Sequence, residues 1–124
     1  MRIRTIEPFQ SSNQFWLGLD EEGFRRKVFK VIDKDLVNSE HIVAGLTIFE
    51  PGESSSYHNH PDSEELDYIV RGSGNVISDD EEENFGSNSF MFIPKGVFHR
   101  HMNTGDEPMW MVFMYTPPGQ LPGT

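Results

Sequence analysis

Residues 52–72 read GESSSYHNHPDSEELDYIVRG, and the rest of the chain is interpreted around them. His58 and His60 are two residues apart, Glu65 follows, and an alternating run leads into a Gly72-Ser73-Gly74 turn. Residues i and i+2 of a strand face the same side, so His58 and His60 are expected to project together. Neutral imidazole and carboxylate are ligands for Zn, Fe, Ni and Mn. Two imidazoles and a carboxylate on one wall would hold such an ion and leave positions open.

Residues 93–103, IPKGVFHRHMN, complete the pattern, with a Pro94-Lys95-Gly96 turn feeding His99. Together the two segments resemble the paired motifs of the cupin superfamily. Gly52, His58, His60, Glu65 and Gly72 match the first motif, and Pro94, Gly96, His99 and Asn103 match the second. The second motif's leading glycine is Asn88 here, a mild departure because Asn tolerates the left-handed backbone of a turn. The resemblance spans residues 42–117 and implies an all-β fold, a small single-domain antiparallel barrel of the cupin type (a double-stranded β-helix, or jelly roll). It implies one divalent transition metal per chain, Fe, Mn, Ni or Zn, held by His58, His60, Glu65 and His99. It also implies a homodimer formed through the outer sheet and the N-terminal strand. Cupins include dioxygenases, decarboxylases, isomerases, lyases, storage proteins and sensing domains, so the fold does not select a reaction.

A chain of 124 residues is one domain with room for a single core. Twenty acidic against ten basic side chains, a formal charge of −10, argue against nucleic acid as a partner. No apolar run approaches the ~20 residues that span a bilayer, and none follows the N-terminal arginines. A membrane partner and a secretory leader are therefore not expected, and cytoplasm is the default location. With no cysteine there is neither a disulfide nor a thiolate ligand.

Along the chain, residues 1–41 are expected to form N-terminal strands and an arm packing on the barrel, 42–117 the barrel, and 118–124 a tail. Ile3 and Thr5 suit either a short edge strand or a partly ordered arm. VFKVI, residues 28–32, suits a strand because β-branched residues are dense and a turn signal follows. Arg25, Arg26 and Lys27 form a basic cluster in an acidic chain: a solvated face, or a handle for an anionic substrate. IVAGLTIFE (42–50), the His58–His60 segment, EELDYIVRG (64–72) and MWMVFMY (109–115) read as further strands. The five acids of residues 79–83 have the composition of an exposed hairpin tip, with a calcium site as the alternative. FMFI, residues 90–93, is apolar on both sides and is expected to be buried between layers. No convincing helix is visible.

Near the proposed ligands, His101 lies two residues beyond His99 and should face the same way, as a fifth ligand, an acid/base or polar lining. Asp67 shares a face with Glu65, so it is either a catalytic acid/base of raised pKa or a structural partner of Arg71 or His101. Tyr57 and Tyr68 should point away from the cavity, whereas Phe90, Phe92, Met109, Met111 and Phe113 would line its floor or simply pack the core. The functional expectation is a metal-dependent enzyme on a small organic substrate, with Asp67 and His101 as the catalytic pair and a dioxygenase as the first reading. A redox-neutral sugar or sugar-acid isomerase or lyase, and a non-catalytic sensing domain, are the alternatives.

Overall fold

The computed structural model describes residues 2–118. The expected tail therefore lies, apart from Pro118, outside the described residues. The described residues form nine strands in two antiparallel sheets. The larger contains β1 (Asn13–Leu17), β2 (Arg26–Ile32), β3 (Val43–Phe49), β4 (Glu64–Arg71), β7 (Ser89–Ile93) and β9 (Met109–Thr116), in the spatial order β1-β2-β3-β9-β4-β7. The smaller contains β5 (Gly74–Ile77), β6 (Glu82–Phe85) and β8 (Arg100–Asn103), in the order β6-β5-β8. This is the expected single-domain jelly roll.

Period-two alternation sorts the side chains. On β9, Met109, Met111, Phe113 and Tyr115 point inward and are almost fully buried. Register then places Tyr115 opposite Glu65, Phe113 opposite Asp67 and Met111 opposite Ile69 on β4. Phe49, Ile69, Met109 and Met111 form one apolar cluster, and Val28, Val43, Phe113 and Tyr115 another. Gly45 on β3 is a close-approach glycine: a Cβ there would lie 2.8 Å from the Phe113 ring and 2.4 Å from the Phe29 carbonyl.

Turn chemistry explains several motif positions. Asn88 does adopt the left-handed backbone (φ 64°), and its side-chain oxygen accepts from the Tyr68 hydroxyl. The amide of Asn103 donates to the carbonyls of Phe49 and Glu107, both at 2.9 Å, while its oxygen accepts from Gly105 N–H at 2.9 Å. One side chain thus ties β8 to the end of β3 and shapes the β8–β9 turn. The acidic run forms the exposed β5–β6 hairpin, as expected, and Tyr57 lies outside the cavity with its hydroxyl donating to Asp79.

Three expectations are corrected, and of the two readings of Ile3 and Thr5 the strand is not the one found. Ile3 and Thr5 form no strand: residues 2–7 have no regular structure, and Glu7 caps a four-residue helix, α1 (Pro8–Ser11), that begins at Pro8. A second short helix, α2 (Lys34–Val37), follows β2, with Asp33 accepting from Leu36 N–H at 2.8 Å and Asn38 closing it in the left-handed region. The His58–His60 segment is extended but not a regular strand, because only His58 makes a bridge, to His99. Finally, residues 90–93 are not buried on both sides. β7 is an edge strand, so Phe90 and Phe92 stand on the outer face at 74% and 60% exposure while Ile93 points inward. Leu66, Val70 and Val112 are also exposed, as is Phe9 of α1, which packs on Phe29 and Trp110.

The basic cluster is resolved by alternation. Arg25 binds Glu53 through its backbone N–H (2.8 Å) and its guanidinium (2.8 and 3.2 Å). Lys27 lies over the Trp16 ring, and Arg26 between them turns inward and is buried. Burial alone would raise the Glu53 pKa, but the hydrogen bonds and charge of Arg25 outweigh it and hold the carboxyl below its usual range.

Two outcomes follow for stability. Ile69→Ala, at a fully buried site, is expected to cost about 3 kcal/mol by the usual cavity penalty, read from urea denaturation. For Glu53, a folded pKa below the unfolded one means the contribution is complete above about pH 4.3 and fades as pH falls through the folded value. The stability gap between wild type and Glu53→Gln should therefore close on acidification, measured by the same titration at successively lower pH.

Candidate metal centre

Four elements bring the ligand candidates together. Glu65 comes from the inward face of β4, and His99 from the segment entering β8. His58 is held against His99 by a reciprocal backbone pair, N–H to carbonyl at 2.9 and 2.8 Å. His60 is placed by the Pro94–Gly96 turn, since Gly96 N–H donates to the His60 carbonyl at 3.1 Å. One ligand atom from each of these four side chains lies within 4.8 Å of every other.

The donor set fits a metal ion. Nδ1 of His58 is 2.8 Å from the Ser56 carbonyl, and Nδ1 of His99 is 2.9 Å from the Val97 carbonyl. A carbonyl can only accept, so both Nδ1 atoms carry a proton, and in the neutral rings both Nε2 atoms are lone pairs, the tautomer a metal requires. His99 Nε2 and Glu65 Oε1 are buried without a hydrogen-bond partner. Glu65 Oε1 lies 3.1 Å from His60 Nε2 and 3.4 Å from His99 Nε2. Two donors at right angles, each ~2.1 Å from an ion, are about 3 Å apart. These separations are therefore what shared coordination demands.

Charge distribution agrees. Burial, reinforced by the nearby His99, pushes His58 down to about 4, so it is the free base at neutral pH. Burial opposes ionisation of Glu65, but the adjacent His60 and His99 imidazoles outweigh it and hold the carboxyl well below its usual range. The His60 ring is stacked on Tyr115, with centroids 4.4 Å apart and planes 20° apart.

The second pair expected from the sequence is also at the site. His101 Nε2 is 3.0 Å from Asp67 Oδ2 and 4.0 Å from Glu65 Oε2, and both residues are almost wholly enclosed. Of the two partners proposed for Asp67, His101 is the real one, because Arg71 instead faces Glu107 at 3.7 Å. Burial and the adjacent Glu65 charge push Asp67 well above the usual carboxylate range, while burial pushes His101 down to about 3. His101, not Asp67, lines the cavity.

That cavity has about 390 Å³ of empty space including its mouth. His58, His60, Glu65 and His101 form its polar wall, and Met111 and Phe113 both pack in the core and contribute apolar lining. Met109 belongs to the core, and Phe90 and Phe92 are outside. Sequence reasoning assigned no site role to Tyr115 or Thr47, which also line the cavity, and read Arg26 only as part of a cluster that is a solvated face or a handle for an anionic substrate. For Tyr115 no local signal existed, since only the β4–β9 register sets it beside Glu65.

The family model of the cupin domain matches residues 45–115. The chain belongs to the cupin family. Among its relatives, the polyketide synthase protein CurC of Streptomyces cyaneus is 42% identical over 73 residues, covering 59% of this cupin and 47% of that protein. Protein SchB of Streptomyces halstedii is 40% identical over 73 residues, 59% of this chain and 53% of that one. Gentisate 1,2 dioxygenase 1 of Aquipseudomonas alcaligenes is 36% identical over 72 residues, 56% of this chain and 20% of that enzyme. This cupin thus spans about half the length of the first two relatives. Among solved structures, a Thermotoga maritima protein described as a predicted oxalate decarboxylase superposes with a TM-score of 0.79 at 15% identity, covering 93% of this chain and all of that one. A Klebsiella pneumoniae protein with a double-stranded β-helix domain gives 0.72 at 16% identity, covering 94% and 91%. At such identity these two speak for the fold alone. No helix of the described residues is long and apolar enough to cross a membrane.

Metal binding is directly testable. Excess Zn²⁺ or Fe²⁺ added to chelator-treated protein is expected to raise the melting temperature, by about 4 kcal/mol of stabilisation at 1,000 times the Kd. Glu65→Ala or His99→Ala should abolish that shift and deplete the metal found by elemental analysis.

Proposed function

We propose that this cupin is a metal-dependent enzyme acting on a small oxygenated organic molecule, and that its reaction moves a proton beside a carbonyl or enol oxygen. The observation that carries this reading is the enclosed Asp67–His101 pair, 3.0 Å apart and next to Glu65, with the imidazole on the cavity wall. A divalent ion at the four-ligand site would supply Lewis-acid polarisation of the substrate oxygen. The chain's own side chains provide the rest. Burial keeps a proton between Asp67 Oδ2 and His101 Nε2, and the neutral imidazole relays it between the carboxyl behind and the cavity in front. Asp67 fixes the ring's orientation and tautomer, while Met111 and Phe113 limit water access. The relatives named as polyketide synthase proteins support a carbonyl-rich substrate.

The dioxygenase reading stands second, favoured by the match to gentisate 1,2 dioxygenase 1. One assay separates the two. Metal-loaded protein is offered gentisate, small 1,3-dicarbonyl compounds and hydroxylated aromatics, with absorbance and oxygen followed in air and under nitrogen. Turnover undiminished under nitrogen supports proton transfer, and strict oxygen uptake transfers the assignment to dioxygenation. No turnover at full metal occupancy counts against an enzyme. On a substrate so found, Asp67→Asn should retain its metal, lower kcat by about 10²–10⁴-fold and shift the pH profile. An unchanged kcat would remove Asp67 from the mechanism.

A further inference from the structure

A second cavity opens between β6 and β7, with about 900 Å³ of empty space including its mouth. None of the described residues lines both this space and the first cavity. Strand register fixes which side chains face it. Met91 and Ile93 of β7 stand opposite Asp67 and Glu65 of β4, so they share the inward face of those carboxylates. On the other sheet Val76 stands opposite His101 on one side and Glu83 on the other, and Phe85 stands opposite Gly74. The Phe85 ring lies over Gly74, where a Cβ would come within 2.8 Å of it. Val97 and His99 complete the apolar end, with the Val97 carbonyl 2.9 Å from His99 Nδ1.

The lining chemistry is one-sided. The inward residues of β9 are almost fully buried, whereas Val76, Phe85, Met91 and Val97 are only half-buried. Their apolar faces meet open space, and an apolar occupant would take that surface out of water. No lysine or arginine is among the described lining residues, and the carboxylates, Glu81 and Glu83, are exposed. Asp79, Asp80 and Glu82 extend the negative charge along the same hairpin. An anion therefore meets repulsion at the mouth and no guanidinium or ammonium within. A cation would be drawn to the rim but would lose its hydration among apolar walls. The Met91 thioether and the Phe85 ring both favour contact with an aromatic ring.

We propose that the β6–β7 cavity is a second binding site, for a small uncharged aromatic molecule, and that it meets the candidate metal centre through His99. Of the four ligand candidates, His99 is the one in its lining. The ring of the occupant would pack on Phe85, Met91 and Val97. Ser89, opposite Ile69 on the inward face of β7, offers a hydroxyl to a polar substituent. The proposal goes beyond the enzyme reading, since it concerns a separate space and requires no turnover.

The test titrates purified protein of measured metal content with phenylnaphthylamine, an uncharged dye that fluoresces in apolar surroundings, and with its anionic counterpart anilinonaphthalene sulfonate. Location is read from methyl-labelled methionines by NMR: Met91 reports this cavity, Met111 the first cavity and Met114 the outer sheet face. The uncharged dye should bind about tenfold or more tightly than the sulfonate and move the Met91 signal while Met111 and Met114 stay. Met91→Trp, which fills the cavity, should remove that binding with metal content unchanged, whereas Leu66→Ser on the outer face should leave it intact. No binding of the uncharged dye, equal or tighter binding of the sulfonate, a stationary Met91 signal, or unaltered binding by a folded Met91→Trp would each overturn the proposal. If Met91→Trp does not fold, the wild-type methionine signals decide. Binding here in a protein that turns over nothing upholds the second site and defeats only the enzyme reading.

Discussion

The interior of this barrel is organised by two carboxylates two residues apart on one strand face, Glu65 and Asp67, enclosed at 4% and 0% exposure. Adjacent buried carboxylates cannot both ionise freely, so the surroundings must separate them. Three imidazoles do so. His60 and His99 turn their Nε2 atoms to Glu65 and keep it ionised, while His101 takes Asp67, which holds a proton because Glu65 does not. A metal ion would complete this arrangement: the unpartnered atoms Glu65 Oε1 and His99 Nε2 are the ones that coordination would satisfy. One site is thereby divided into a ligand half and a proton-holding half.

The fold positions these groups by pairing the two sheets' contributions. β4 carries the carboxylates and is fixed on both sides, by β9 and β7, through hydrogen-bonded registers that leave its inward face no freedom to slip. The imidazoles arrive from the opposite wall, clamped by backbone carbonyls at Ser56 and Val97 and by the His58–His99 bridge. The left-handed residues, Gly52, Gly72, Asn88 and Gly96, sit at the turns that bring these segments round. Apolar residues of β9 fill the space between and leave the cavity narrow.

Much of this was legible locally. The strands expected at residues 28–32, 42–50, 64–72 and 109–115 follow from β-branched density, alternation and turn residues, and the four ligand candidates from the two motifs that resemble those of cupins. Less legible were properties of neighbours. The FMFI run has the composition of a buried strand, and only its place at the sheet edge exposes Phe90 and Phe92. Pro8 and a cap at Glu7 won over the weak alternation of Ile3 and Thr5. Arg25, Arg26 and Lys27 are alike as letters, yet one pairs with Glu53, one enters the cavity and one covers Trp16.

The amino-acid sequence by itself determined the β fold, the cupin motifs and which side chains can bind a metal, because turn chemistry, strand period and ligand spacing are local properties of the chain. Tertiary structure decided which charges are buried and whom they meet: that Asp67 pairs with His101 rather than Arg71, that Tyr115 stacks on His60, and that Arg26 faces inward. Those outcomes depend on register between strands far apart in sequence, and on the cost of burying charge, which is defined only once the walls of the cavity are in place.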